Sequence, residues 1–521
     1  MALGFACRQR QRVGLPFMPL IDCLNLPAAP LALAEPYATA VFMTVIGVLV
    51  AVSVLFSKAV DRIGVPVVLL FLVLGMLGGS EGIGGIEFSD YGIAVRLGTM
   101  ALVLILFDGG LNTRAASIRQ VLGPASVLAT AGVLLTAALV TLFARLLGMP
   151  WPAALLLGAV VSSTDAAAVF AVLRGGRLQL RPRLGRTLEV ESCINDPMAV
   201  ILTTTLIQWL TQDGPVGLRP LLAVPVQLLV GAGVGLILGY LGVMLLRRVR
   251  LTTVGLYPVL TLAMAFVSFG LATVVNGSGF LSVYVTAVVL GNKAIPFRAG
   301  LSRIHDALAW MSQIGMFLML GLLVYPSKLL PVLWMGLAVG LFLGIVARPL
   351  AVLPCLWPFG FGLRDMLYIG WTGLRGAVPI ILATFPVLAG VEGAEQVFNV
   401  VFFIVVVSSF VPGATIRTVT RRLGLTVPDH PVPAAVLEIN STMPLGGELA
   451  SFYIDESLAV CDAALADITF PDAASIVLIV RDGQLMAPKG NTTLRKGDHA
   501  YVFFRQPDRP FIELLFGGPE E

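Results

Sequence analysis

The residues of this chain that could do chemistry are few, and they sit where charge is least expected. Glu191-Ser192-Cys193-Ile194-Asn195-Asp196-Pro197 puts two carboxylates, a hydroxyl and an amide into an otherwise apolar run. Glu191 and Asn195 are four residues apart and share a helix face, and Ser192 and Asp196 form the adjacent pair, so the polar edges make one stripe. Pro197 frees a backbone carbonyl one turn earlier, near Cys193. Carboxylate, hydroxyl and loosened carbonyl are all oxygen ligands, the kind that a hard cation takes. Ser162-Ser163-Thr164-Asp165 falls in the middle of a second apolar run, and these residue types compete for backbone groups and can break a helix. Gly373-Leu374-Arg375-Gly376-Ala377-Val378-Pro379 interrupts a third. Asp108 and Arg348 complete the set of ionisable groups in apolar surroundings. For any one of these a structural ion pair is a sufficient account, but so many charges placed inside apolar spans point to function.

The elements that must hold these groups follow from composition. The chain has 521 residues, 57% of them hydrophobic and only 12% charged, with a mean hydropathy of +0.92. A soluble domain carries about 25% charged residues, so a soluble enzyme, a disordered chain and a nucleic-acid binder are excluded. Repeated apolar runs of helical length predict a polytopic α-helical membrane protein. Thirteen spans are expected, from 37–57 through 65–80, 91–111, 121–147, 152–173, 187–211, 221–246, 253–275, 279–291, 304–325, 329–356 and 365–389 to 395–416. Alternate loops then hold 19 basic residues on one side against three on the other (Arg145, Arg219 and Lys328), which places the first set in the cytoplasm. The N-terminus is expected outside and the C-terminal part inside. Residues 1–36 carry Arg8, Arg10 and Arg12 against that rule and read as a disordered extension. Two interrupted spans in corresponding halves point to a transporter of inverted repeats with crossing helices near the midplane.

Charge also divides the chain. Residues 1–427 carry a net +12 and residues 428–521 a net −8, with a proline-rich stretch at Pro428, Pro431 and Pro433 between them. A membrane domain at 37–425, a linker and first strand at 426–439, a small α+β domain at 440–506 and a tail at 507–521 are expected. Within the acidic part, 434–439 and 475–481 read as strands, 455–466 as a short helix, Arg481-Asp482-Gly483 as a hairpin turn and 500–504 as a strand. Five dispersed cysteines give no disulfide framework, and His305, His430 and His499 form no metal cluster, so no cofactor or metal is expected.

Ser163-Thr164-Asp165, Glu191-Ser192-x-x-Asn195-Asp196, Ala347-Arg348-Pro349 and Gly373-Leu374-Arg375-Gly376-Ala377 together resemble the NhaP-type monovalent cation:proton antiporters over roughly 37–425. The resemblance implies exchange of K⁺ (or Na⁺) for H⁺ in an inner membrane, by a homodimer. It implies that Asp196 takes either a proton or a cation and that Thr164, Asp165 and Ser192 complete the cation shell. Asn195 would hold the crossing helices, Glu191 would pair with Arg348, and Arg375 would neutralise the crossing. Asp108 stands where many family members have Glu, a longer side chain. An Asn-Asp pair in place of Asp-Asp leaves one titrating acid at that point and implies electroneutral 1:1 exchange. The acidic part resembles a TrkA-C (RCK C-terminal) module over 440–506 through Gly490 and Gly497-Asp498, which implies dimerisation or gating by a small ligand. No nucleotide-binding glycine motif accompanies it, so the ligand stays unnamed. A gated channel is the competing reading, and it would need a continuous polar pore and no obligatory titrating ligand. A membrane-embedded enzyme would have only His305 to build on.

Overall fold

Where the apolar runs bend and break is set by residues that cannot stay helical. The computed structural model describes residues 40, 43–44, 47–52, 54–55, 68–176, 178–211, 219–249, 251, 253–427 and 447–519. The extension at 1–36 and the strand expected at 434–439 lie outside the described residues. The helices are α1 Val68–Gly78, α2 Tyr91–Asn112, α3 Ala115–Val127, α4 Val133–Leu146, α5 Trp151–Val160, α6 Ala166–Gly175, α7 Pro182–Thr211, α8 Arg219–Arg248, α9 Leu256–Val274, α10 Gly279–Gly291 and α11 Arg298–Leu322. They continue with α12 Pro326–Leu329, α13 Leu333–Phe342, α14 Arg348–Leu356, α15 Leu363–Trp371, α16 Ala377–Leu388 and α17 Ala394–Arg422. Six of the described helical segments are long and apolar enough to cross a membrane on length and composition, and five shorter apolar helices accompany them. The chain is a multi-pass helical membrane protein.

One order of elements occurs twice. Helices α3 and α4 join through a π turn at Leu128–Gly132 into one long rod, the broken pair α5/α6 follows, and then comes long α7 with Pro197 inside it. Later, α12 to α14 form a second rod with a π turn at Leu343–Ala347. The broken pair α15/α16 follows it, and then long α17 with Pro412 inside it. These two sets pack together into one bundle, here the site bundle. Helices α1, α2, α8, α9, α10 and α11 pack mainly on each other as a second bundle, the panel. The seam between the bundles runs along α2 and α16, where Ile381 lies against the backbone of Gly98. Aliphatic side chains dominate the shared core, among them Leu106, Val160, Val283, Leu320, Ile380 and Val401.

The C-terminal domain is an antiparallel sheet of β3 Gly447–Tyr453, β4 Ser475–Arg481, β5 Gln484–Met486 and β6 His499–Arg505, in the order β3-β6-β4-β5. The expected hairpin is present: Arg481 pairs Gln484, and Asp482 and Gly483 both take positive φ (49° and 75°), the conformation of a tight two-residue turn in which glycine is unstrained. The expected helix at 455–466 is absent. Its backbone donors turn instead to the facing segment, Asp462 N to Leu494 O (2.8 Å), Leu465 N to Thr492 O (3.0 Å) and Ala466 N to Gly490 O (2.8 Å). That leaves turns and one 3₁₀ turn at Leu465–Asp467. The stretch 507–521, read from the sequence as a tail, carries α18 Arg509–Phe516, whose Ile512 and Phe516 enter the same core as Phe452, Ile479, Val502 and Phe504. One further ribbon, β1 Gln179–Leu180 with β2 Thr426–Val427, joins the α6–α7 loop to the end of the membrane domain.

Candidate functional site

The two breaks in the site bundle meet. Asp165 N donates to Leu374 O at 2.8 Å, so the interruption after α5 is bonded to the interruption after α15. Asp165 caps α6, its Oδ1 accepting from Ala168 N at 3.0 Å. Its carboxylate also lies against Gly376, the cap position of α16, so closely that any side chain there would collide with it. One carboxylate thus caps the N-terminal end of α6 and lies beside that of α16, where partial positive charge collects.

Helix α7 clamps this crossing. Ser192 Oγ donates to Thr164 O (2.8 Å) and accepts from Ala166 N (3.1 Å), bridging both sides of the first break. Asn195 Nδ2 donates to Thr164 Oγ1 at 2.5 Å, and Asn195 is fully buried. The structure therefore brings Thr164, Asp165, Ser192, Asn195 and Asp196 together. Two oxygens among them, Asp196 Oδ1 and Asn195 Oδ1, and one beside them, Ser163 Oγ, are left without a hydrogen-bond partner in the described residues. Ser163 lies beside Asp196 and was not singled out as a ligand from the sequence, although its place next to Thr164 and Asp165 carries the signal. Buried polar oxygens without partners are uncommon and call for an explanation, and oxygen atoms are what a monovalent cation coordinates.

The basic residues fall into two kinds. Arg348 and Glu191 form an ion pair between α14 and α7, each only 1% exposed. Arg348 also passes beside Gly373, so it supports the second break from behind. Arg375 is equally buried and its backbone N donates to Ser408 Oγ at 3.2 Å, yet its guanidinium nitrogens have no hydrogen-bond partner among the described residues. It lies within coulombic range of Arg348, Glu191 and Asp196. Asp108 is placed differently. It stands on panel helix α2, where Asn112 Nδ2 donates to it (3.0 Å) and Ser302 Oγ donates to Asn112 (2.5 Å). Its charged neighbour is Asp306 of α11, and no hydrogen bond joins it to Asp165 or Asp196. Asp306 falls inside the span expected at 304–325 and carries the same signal as Asp108, a carboxylate in an apolar run. Among the described residues no group of His, Cys, Asp and Glu could hold a metal ion.

Crossed half-helices around buried carboxylates define a secondary transporter for a small cation. Comparison with known proteins gives the particular class. Residues 47–422 match the profile "Sodium/hydrogen exchanger, transmembrane" and residues 449–508 match the TrkA-C domain. The K(+)/H(+) antiporter NhaP of Alkalimonas amylolytica is 42% identical over 479 residues, 90% of this chain and 82% of that protein. The K(+)/H(+) antiporter NhaP2 of Shewanella oneidensis is 40% identical over 485 residues, 92% of this chain and 84% of that one. The solved sodium proton antiporter MjNhaP1 from Methanocaldococcus jannaschii shares the fold, with a TM-score of 0.62 at 23% identity over 73% of this chain and 99% of its own. The chain belongs to the sodium/hydrogen exchanger family and carries a C-terminal TrkA-C domain.

Proposed function

We propose that this protein exchanges K⁺ (or Na⁺) for H⁺ across the inner membrane, one for one and without net charge movement, in the service of cation and pH homeostasis. The observation that carries the reading is Asp196, with an unpartnered carboxylate oxygen between the crossed breaks and an amide, not a second acid, beside it at Asn195. A carboxylate there can be neutralised by a proton or by a cation, but not by both at once. The empty, charged site is costly to carry through an apolar barrier, so only loaded carriers cross, and exchange is coupled. Asp165 adds a second carboxylate beside the site, capping α6 while it lies against Gly376 at the start of α16. Ser163, Thr164 through its carbonyl, and Ser192 supply further oxygens, while Glu191, Arg348 and Arg375 hold the crossing in place and in charge balance. The relatives described as K(+)/H(+) antiporters support K⁺ as the cation.

The finer architecture belongs to the same reading: thirteen spans, the two repeated sets related as inverted repeats, the N-terminus outside and the TrkA-C domain in the cytoplasm. A homodimer with a small ligand at the C-terminal domain, and a membrane domain at 37–425 joined by 426–439 to a domain beginning near 440, complete it. In everted vesicles loaded with a pH-gradient dye, K⁺ should dequench the signal, with Na⁺ and Li⁺ as the comparison. Silence to all three would exclude exchange. In liposomes the rate should not respond to membrane voltage as a net charge mover would, and such a response would exclude the 1:1 stoichiometry.

A further inference from the structure

Helix α7 carries a further carboxylate toward its N-terminal end, one that the ion site does not use. Glu189, Cys193 and Asp196 follow one another at the spacing that puts side chains on one helix face, so Glu189 stands two turns from Asp196, about 10 Å along the axis. Glu189 and Cys193 are half-buried. Across the seam this face meets two panel helices. At the end of α2, Thr113 Oγ1 donates to Gly109 O (2.6 Å) and lies 3.4 Å from Glu189 Oε1, within hydrogen-bond reach. Asn292, just past α10, holds Thr113 in place: its Nδ2 donates to Thr113 O (2.8 Å) and its Oδ1 accepts from Ala115 N (2.8 Å). Tyr284 of α10 is 4% exposed and is pinned where Gly110 of α2 lies against its backbone and ring. Its phenol is flanked by Thr113 and Cys193, yet the hydroxyl makes no hydrogen bond among the described residues. A buried phenol usually finds a partner. Three oxygen-bearing side chains therefore gather on one seam, and Asp196 lies further along the same face of α7.

We propose that Glu189, Thr113 and Tyr284 form a second cation site, which K⁺ (or Na⁺) occupies on its way between the cytoplasm and Asp196. A carboxylate, a hydroxyl and a phenol offer the oxygen ligands that a hard monovalent cation takes. A negative charge between low-dielectric walls also concentrates cations around it. The site is divided between the bundles, with Glu189 on one and Thr113 and Tyr284 on the other. Alternating access in transporters of this construction is largely movement of one bundle against the other, so the site holds a cation only in the arrangement in which its two halves meet. The end of α7 that carries Glu189 follows Arg181, Arg183 and Arg186, in the loop read above as cytoplasmic. The proposal rests on the exchanger reading and on that orientation.

The test measures the K⁺ concentration that gives half-maximal exchange by the full-length protein in membrane vesicles, everted to present the cytoplasmic face and right-side-out to present the other. Glu189→Gln should raise that concentration by about tenfold at the cytoplasmic face, the enrichment that a charged cleft supplies, and leave it unchanged at the outer face. Tyr284→Phe removes only the unpartnered hydroxyl and should raise it less, at the same face. A merely structural role would shift both faces together or lower the maximal rate alone. An unchanged value at the cytoplasmic face in either variant, equal shifts at both faces, or a shift confined to the outer face would each overturn the proposal. Should Glu189→Gln fail to insert, Tyr284→Phe decides by the same criteria. Absence of K⁺-dependent exchange in the unmodified chain would instead overturn the exchanger reading beneath it.

Discussion

Two regions of this molecule bury charge, and they finish the job differently. In the C-terminal domain, Asp498 is 1% exposed and fully engaged: it accepts from Arg481 Nε (2.7 Å), Arg481 Nη2 (2.6 Å) and Arg495 N (2.8 Å). Arg481 then spends its remaining reach on Thr493 O (2.8 Å). In the membrane domain, Asp196 Oδ1, Asn195 Oδ1, Ser163 Oγ and the Arg375 guanidinium are buried with no such partners among the described residues. The low dielectric that strengthens a completed network makes an incomplete one expensive. A fully paired buried carboxylate is a structural joint, whereas the oxygens left open at the crossing of broken helices are the ones proposed above to take a ligand.

The sharpest way to break this comparison is to neutralise each carboxylate in turn. Asp196→Asn should abolish exchange in vesicles while the purified protein keeps its melting temperature. Asp498→Asn should do the reverse. It removes the charge that Arg481 needs, so the C-terminal domain loses stability, by about 3–5 kcal/mol if the buried pair behaves as broken pairs do. That loss is visible as protease cleavage within 447–516, while cation-dependent exchange persists. Exchange that survives Asp196→Asn would remove that residue from the ion site.

The Glu191–Arg348 pair sharpens the comparison further, because it sits in the membrane domain yet resembles the structural joint. Arg348→Ala leaves Glu191 buried and unpaired, a change that costs about 3–5 kcal/mol in such settings. It should therefore lower the amount of folded protein in the membrane more than the exchange rate per molecule. Replacing both residues by Met and Leu should recover much of the folded protein. Full exchange per molecule in that double variant would assign the pair wholly to scaffolding. A pair that is stable but inactive would place it in the transport step.

How far the sequence could be read divides along the same line. The breaks at Ser162–Asp165 and Gly373–Gly376 were legible because each concentrates residues that a helix tolerates badly, and the structure crosses them. The Glu191–Arg348 pairing came from family resemblance alone, since nothing in 157 residues of separation announces a partner. Asp108 is expected among the ion ligands because it is a charge in an apolar run and stands where many family members have Glu. Which bundle α2 joins decides its neighbours, and those are Asn112, Ser302 and Asp306. The β1–β2 ribbon has two residues in each strand, too few for any alternation to be read. The segment 455–466 reads as a helix but is not one, because its donors are claimed by carbonyls of the irregular segment 490–494, a tertiary choice that overrides local helix signals.

The smallest expected effect lies at the loop between α1 and α2, where the two bundles touch through charge. Glu81, in the loop between α1 and α2 of the panel, accepts from Ser327 N (2.7 Å) and from Ser327 Oγ, at the start of the rod that begins with α12 in the site bundle. These two bonds hold its carboxyl below the ordinary carboxylate value of 4.5, chiefly through the Ser327 hydroxyl and then its backbone N–H. A group whose folded value is depressed contributes stability above its unfolded value and loses it as pH falls through the folded one. The clasp should thus be whole at neutral pH and should fade only below pH 4.5. Glu81→Gln should lower the melting temperature slightly at pH 7, and the gap to the unmodified chain should close in acid. Exposed carboxylates of this kind matter little to folding, so a large loss of stability in Glu81→Gln would mean that the clasp carries load between the bundles and is not merely a cap on α12. A gap that persists unchanged in acid strong enough to protonate every carboxylate would show that Glu81 acts through its shape and not through its charge.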